Sequence, residues 1–297
     1  MELYYNKDKL IRGDWIKKAI LRSDLVPVPL TLEAEIRADR ESALHFQVGN
    51  SIATYAGDEL EIIYSEYKPS GKVQGSTEAA YVHLIAILKP VKGVSFIKQN
   101  AIIKYNATLA EVYRACGATL RSIEGDFALP RFACLAGEVP TFHISRALQE
   151  AGGVVRWRHG KLAFIPLSLL LNQKTTQTIT SLTDDVDSGF LERHDVPSFY
   201  STDADGAVIS GNKAKLRALR YQPGTSEMAL RNMTSCLVHA RTAKIKYNIN
   251  TAAGDLVNIR GSQTPLAVIT SATVFSAGTD GDPQQQFTKV WLGRLER

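Results

Sequence analysis

The sequence predicts a mainly β fold with an α+β insertion, built around two similar β-barrel domains per chain. Three observations carry this expectation. Apolar residues alternate at period two in the first third and the last quarter of the chain, and helix signals are confined to the segment between them. A short phrase also occurs twice: Ala56-Gly57-Asp58-Glu59-Leu60-Glu61-Ile62 in the first quarter and Ala253-Gly254-Asp255-Leu256-Val257-Asn258-Ile259 in the last. Each copy is a Gly-Asp turn followed by alternating residues, and each leads into a further β-rich run.

Residues 25–105 read as β. Val26, Val28, Leu30 and Leu32 alternate and Ala34 and Ile36 continue the period, with Pro27 and Pro29 on the opposite parity as on an edge strand. Further strands are expected over 44–55, 60–67, 80–88 and 95–105, with a hairpin loop rich in Gly, Ser, Lys and Thr over 68–78. Helices follow. Thr108-Leu109-Ala110-Glu111 is a capping box, Leu109, Val112, Tyr113, Cys116 and Leu120 share one helical face, and Gly117 interrupts it. A second helix starts at Pro140-Thr141, carries the stripe Ile144, Ala147, Leu148 and Ala151, and stops at Gly152-Gly153. Next comes a hairpin, 154–158 against 161–165, around the two-residue turn His159-Gly160. Residues 172–215 lack a strong period and read as a connector with short strands. The last module has strands centred on 236–240, 243–249, 256–259, 266–275 and 287–295, with a turn or loop at Gly278-Thr279-Asp280-Gly281-Asp282-Pro283. The expected division is therefore a first barrel over 1–105, the insertion over 106–171, the connector over 172–215 and a second barrel over 216–297.

Composition excludes several classes. The 297 residues are 44% hydrophobic and 22% charged, ordinary for a globular protein, and the apolar runs are short and interrupted. The first eight residues lack a signal-peptide core, so synthesis in a cytoplasm is expected. Three widely spaced cysteines, Cys116, Cys134 and Cys236, form no disulfide framework and no Cys-x-x-Cys zinc pattern, and they read as small buried apolar residues. The net charge of +5 is scattered; its densest group is Lys7, Lys9, Arg12, Lys17, Lys18 and Arg22, which reads as a solvated face.

No residue is assigned a catalytic, cofactor or metal role. Asp184, Asp185 and Asp187, with His194 and Asp195, have carboxylates of the kind that suit a hard cation, but EF-hand spacing is absent and a solvated loop is expected. Asp203-Ala204-Asp205-Gly206 is a common turn. His45, His83, His143, His159, His194 and His239 fall in no His-Glu-x-x-His or Gly-x-Ser-x-Gly setting and read as structural. A glycosidase needs two carboxylates across a cleft, for which Glu124, Asp126, Glu138 and Glu61 are the candidates. Nucleotide-binding glycine loops are absent, and Asn106-Ala107-Thr108 and Asn232-Met233-Thr234 carry no weight without secretion. Trp15, Trp157, Trp291, Tyr4, Tyr5, Tyr55, Tyr64 and Tyr67 suit interface anchors and core positions equally.

The phrase Pro140-Thr141-Phe142-His143-Ile144-Ser145-Arg146-Ala147-Leu148-Gln149-Glu150-Ala151-Gly152-Gly153, followed by a hairpin with Trp157 and set between two β modules, resembles the central baseplate hub proteins of contractile phage tails and the hub portion of type VI secretion spike proteins. In that family a short helix, a Glu-x-x-Gly phrase and a hairpin sit between two tube-forming barrels, and Gln149-Glu150-Ala151-Gly152-Gly153 matches the phrase loosely. This chain is short for the family and has no C-terminal β-helix or needle, so a spike would be a separate polypeptide. The resemblance implies a non-enzymatic homotrimer without cofactors, whose six barrels form a pseudo-sixfold ring joining a sixfold tail tube to a threefold spike. Tube protein, spike protein, tape-measure protein and baseplate wedge proteins are its implied partners. DNA would pass through the lumen unbound, and the assembly would sit in the virion after being built in the host cytoplasm, with no membrane anchor. Lumen-facing strand positions should then be polar, as Glu59 and Glu61 are against Leu60 and Ile62, and Asn258 against Val257 and Ile259. Two other readings stay open: a nucleic-acid-binding β-barrel protein, which would gather basic and aromatic residues on one face, and a tail-associated cell-wall hydrolase.

Overall fold

Strand burial follows the alternation. In the computed structural model, which describes residues 1–6, 8–69, 80–180, 183–185, 197–211, 218–262, 264–278 and 283–296, the strand Leu30–Arg37 buries Leu30, Leu32, Ala34 and Ile36 and exposes Glu33 and Arg37. The first module runs β1 (Leu3–Tyr5), β2 (Lys9–Leu10), β3 (Ile16–Asp24), β4 (Leu30–Arg37), β5 (Ser51–Thr54), β6 (Glu59–Pro69) and β7 (Ala80–Leu88). Two features depart from expectation. β3 precedes residue 25, and a bulge between Ile16 and Lys18 shifts its parity, which blurs its alternation. The single strand expected over 44–55 is instead a 3₁₀ turn, Ser42–Phe46, followed by β5. Asp39 holds the start of that turn through Ser42 N–H at 2.7 Å, and Gly49, at φ +94°, separates it from the strand. The hairpin loop expected over 68–78 lies mostly outside the described residues.

The insertion comprises β8 (Ile102–Thr108), α1 (Leu109–Ala115), β9 (Ala128–Cys134), α2 (Pro140–Glu150), β10 (Gly153–Arg158), β11 (Lys161–Pro166) and α3 (Leu167–Asn172). The Thr108/Glu111 capping box forms at both ends of its exchange, 3.2 and 2.8 Å, and Gly117 follows the helix at φ +91°. The segment 95–105 does not close the first sheet as expected. A 3₁₀ segment, Lys89–Ser95, intervenes, and β8 pairs with β9 in a separate ribbon.

The connector and last module follow as β12 (Gln177–Ile179), β13 (Thr183–Asp185), β14 (Ser198–Thr202), β15 (Val208–Ser210), β16 (Leu219–Tyr221), α4 (Glu227–Met233), β17 (Cys236–Lys246), β18 (Leu256–Ile259), β19 (Leu266–Ser276) and β20 (Gln285–Glu296). The strands expected at 236–240 and 243–249 are one strand, β17, with a bulge between His239 and Arg241. α4 lies ahead of the strands expected in this module; Ser226 caps it through Ala229 N–H.

The strands of both modules share one sheet, ordered β13-β17-β20-β19-β3-β4-β7-β6-β5-β1-β2, with β18 pairing β19 and β12. The join is the antiparallel ladder of β19 on β3, from Thr270 opposite Asp24 to Ser276 opposite Lys18. The largest apolar cluster unites Leu32, Ile36, Leu60 and Leu84 of the first module with Tyr113, Ile144, Leu148 and Trp157 of the insertion. A second cluster, around Val257, Val268, Val290 and Leu292, belongs to the last module. A third joins Leu25, Leu167, Leu170, Ala253, Leu256 and Ala267 across all three parts.

Candidate functional site: a clasp on the paired Gly-Asp turns

Both Gly-Asp turns use glycine for its backbone freedom, with Gly57 at φ +83° and Gly254 at φ +89°. A Cβ on Gly254 would also lie 2.9 Å from Arg156 Cδ. The likeness extends further upstream than the phrase itself, since Thr54-Tyr55-Ala56-Gly57-Asp58 aligns with Thr251-Ala252-Ala253-Gly254-Asp255, and both threonines are buried. Downstream, Leu60 and Ile62 are buried in β6, as Val257 and Ile259 are in β18. Between them Glu59 and Glu61 each meet a lysine, Lys89 and Lys92, at 2.5 Å, whereas Leu256, at the position of Glu59, is buried.

One hairpin touches both turns. Strand β10 pairs with β11 through the His159-Gly160 turn, whose two residues have φ of +49° and +74° as a type I′ turn needs. Successive side chains on β10 point to opposite faces. Trp157 therefore turns inward, 8% exposed, and donates its indole N–H to Asp58 Oδ1 at 2.7 Å. Arg156 and Arg158 point the other way. Arg158 donates Nη2 to Asp255 Oδ1, and its Nη1 reaches Asn250 O at 3.4 Å. Arg156 Nη1 reaches Gln173 Oε1 at 3.3 Å, and Gln173 Nε2 donates to Gly254 O at 2.5 Å. Asp255 Oδ2 also accepts Ala252 N–H at 3.0 Å. Neighbouring residues of one strand thus hold the corresponding aspartates of the two copies.

The electrostatics are one-sided. Burial, then the charge of Arg158, pulls the Arg156 guanidinium below its ordinary pKa. Asp255, 5% exposed, pairs with Arg158, and its charge and that of Glu124 partly offset the shift at Arg156. Among the described residues the buried Nε atoms of Arg156 and Arg158 have no hydrogen-bond partner. The arrangement fixes the two Gly-Asp turns against one rigid element.

The residues weighed for catalysis each have local partners. Glu124 bonds Lys161 at 2.9 Å, Asp126 accepts Ala110 N–H at 3.2 Å and Phe127 N–H at 3.0 Å, and Glu61 bonds Lys92. Asp187, His194 and Asp195 lie outside the described residues, while Asp184 and Asp185 lie in β13 opposite Thr242 and Arg241. Asp203 closes a turn by accepting Asp205 and Ala207 N–H. Four of the histidines have local partners: His45 stacks on Tyr5, His83 meets Glu33, His143 meets Glu138, and His239 meets Arg241 O and Thr242 at the β17 bulge. His159 sits in its turn. Asn106 lies in β8, and Asn232 closes the end of α2 through Glu150 O at 2.9 Å. Among the aromatics Trp157 is core, while Tyr55, Tyr64 and Tyr67 are exposed. The spacing of Cys134, Glu138 and His143 matches no motif, yet these side chains converge.

No protein-family profile matches the chain, and no curated protein matches it in sequence. Solved structures do. A tail protein from Neisseria meningitidis MC58 matches 99% of this chain and 96% of its own, with TM-score 0.66 and 12% identity. The 43 kDa tail protein of prophage MuSo2 from Shewanella oneidensis matches 99% of this chain and 97% of its own, with TM-score 0.62 and 11% identity. The chain has the fold of phage tail proteins. The E. coli c3393 protein, a component of the type VI secretion system described as similar to the T4 tail proteins gp27 and gp5, shares this tail-protein fold over 93% of this chain and 73% of its own, with TM-score 0.54 and 11% identity. Among the described residues no helix of this tail-fold chain is long and apolar enough to cross a membrane.

Proposed function

We propose that this chain is a structural hub of a phage tail baseplate or tail tip, without enzymatic activity. The observation that carries this is the tail-protein fold over 99% of the chain, with coverage of the Neisseria and Shewanella proteins at 96% and 97%. In the proposed assembly three chains present six β modules, residues 1–105 and 216–297 of each, around one axis. The resulting pseudo-sixfold ring joins a sixfold tail tube to a threefold spike. Duplicated Gly-Asp turns held by one hairpin suit that role, because a ring of alternating modules needs a fixed angle between the two kinds. Closure also removes the open edges of the β sheet. Tube, spike, tape-measure and wedge proteins are its proposed partners, and the virion tail its location after assembly in the host cytoplasm.

Multi-angle light scattering of the purified chain, followed by electron microscopy of the particle, tests this. A mass three times the 32.6 kDa chain and a ring with six lobes are expected. A stable monomer that neither trimerises nor binds a tail tube would overturn it.

One observation favours a second reading. On β17 and β20, Lys244 lies over Phe287 at 3.9 Å and Lys289 over Trp291 at 5.0 Å, and the two lysines are directly opposite in the ladder. Like charges facing each other cost stability unless an anion is near. A salt-sensitive shift of single-stranded DNA by monomeric protein, lost in K244E/K289E, would favour a nucleic-acid-binding protein over the hub.

A further inference from the structure

Three chemically different donors meet where β9 passes into α2. Cys134 ends β9, Glu138 lies in the turn, and His143 stands in the first turn of α2. Their ligand atoms, one sulfur, one carboxylate oxygen and one imidazole nitrogen, all lie within 4.8 Å of one another. His143 Nε2 is 2.9 Å from Glu138 Oε2. Tetrahedral zinc at its usual bond lengths separates its donors by about 3.3–3.8 Å, so small side-chain movements would bring all three onto one ion.

The surroundings hold each donor in place. Gly137, at φ +86°, makes the turn that brings Glu138 back over the end of β9. That turn is tied down twice, by Gly137 N–H to Lys98 O at 2.8 Å and by Lys98 N–H to Glu138 O at 3.0 Å. Leu135 N–H donates to Glu138 Oε2 at 2.6 Å, the kind of outer contact that orients a ligating carboxylate. The His143 ring is met edge-on by Phe132 and Phe142. Cys134 is fully buried, while Glu138 and His143 are part-exposed, which leaves a path for an ion.

We propose that Cys134, Glu138 and His143 form a binding site for zinc or a similar borderline-soft divalent ion. Its fourth position is open to water or to a donor from a neighbouring protein. The site is independent of the hub reading. Its role is structural: the ion ties the end of β9 to the start of α2 and, through Lys98, to the segment after β7.

Cobalt titration of the full-length chain, reduced and stripped of metal, tests this. One equivalent should produce thiolate-to-cobalt charge-transfer absorption and tetrahedral visible bands, which zinc displaces. C134S should abolish the charge-transfer band, and C116S should leave it unchanged. E138Q and H143A change part-exposed side chains and should fold; each should weaken cobalt binding by at least about 10-fold. Folded wild-type protein without a charge-transfer band, a band that survives C134S, or unchanged affinity in both E138Q and H143A would overturn the proposal.

Discussion

Replacing Asp255 by alanine removes the carboxylate that joins the insertion to the second Gly-Asp turn. Its side chain is 6% exposed and that of Arg158 is 28% exposed, so the pair is mostly shielded from water. Breaking a buried ion pair from one side costs about 3–5 kcal/mol, because the remaining charge stays desolvated. Partial exposure of Arg158 lowers that figure, whereas the loss of the Ala252 N–H acceptor and the proximity of Arg156 raise it. About 3 kcal/mol is expected for D255A, a large part of a typical stability of about 5–15 kcal/mol. Urea unfolding followed by circular dichroism, at one protomer concentration, measures it through the midpoint at constant m. In a cycle with R158A the double variant should recover about 2 kcal/mol of the summed losses, since neither charge is then left alone. A loss below about 1 kcal/mol in D255A, or single losses that simply add, would refute the clasp as an energetic link.

Two further outcomes follow from the structure. Burial raises the Asp24 carboxyl above its ordinary pKa, only partly offset by the Thr270 hydroxyl at 2.5 Å and by Arg22. The folded chain therefore holds that proton more tightly than the unfolded chain, and ionisation weakens the fold at neutral pH. D24N should be more stable than wild type at pH 7, and the gap should close as pH falls toward about 3.9; a gap independent of pH would contradict this. A Cβ on Gly93 would lie 2.2 Å from Gly117 O, a backbone atom, so G93A should cost about 2 kcal/mol or more, while G13A, with open space around it, should stay within about 0.5 kcal/mol in the same unfolding measurement.

Local signals were legible wherever pattern and structure share one period. β7 at Ala80–Leu88 and β18 at Leu256–Ile259 occupy the residues that alternation marks, and α2 runs from its proline to its glycines. The Thr108 capping box and the His159-Gly160 turn are likewise read from neighbours in sequence. Alternation does not reveal β3, because a bulge breaks its parity, and α3 and α4 lack the capping box that marks the equally short α1. Alternation identifies β8 as a strand without naming its neighbour, which is β9 and not the first sheet.

The sequence alone determined that this is a mainly β protein with an α+β insertion, because turn residues and apolar period act over a few neighbours. The tertiary structure decided what the two Gly-Asp turns are fastened to. Trp157 finds Asp58 across 99 positions and Arg158 finds Asp255 across 97, contacts that depend on how three cores pack. Cys134, Glu138 and His143 are close in sequence, yet only the left-handed turn at Gly137 folds their side chains onto one point. Convergence of this kind is set by backbone direction and burial, which residue spacing does not encode.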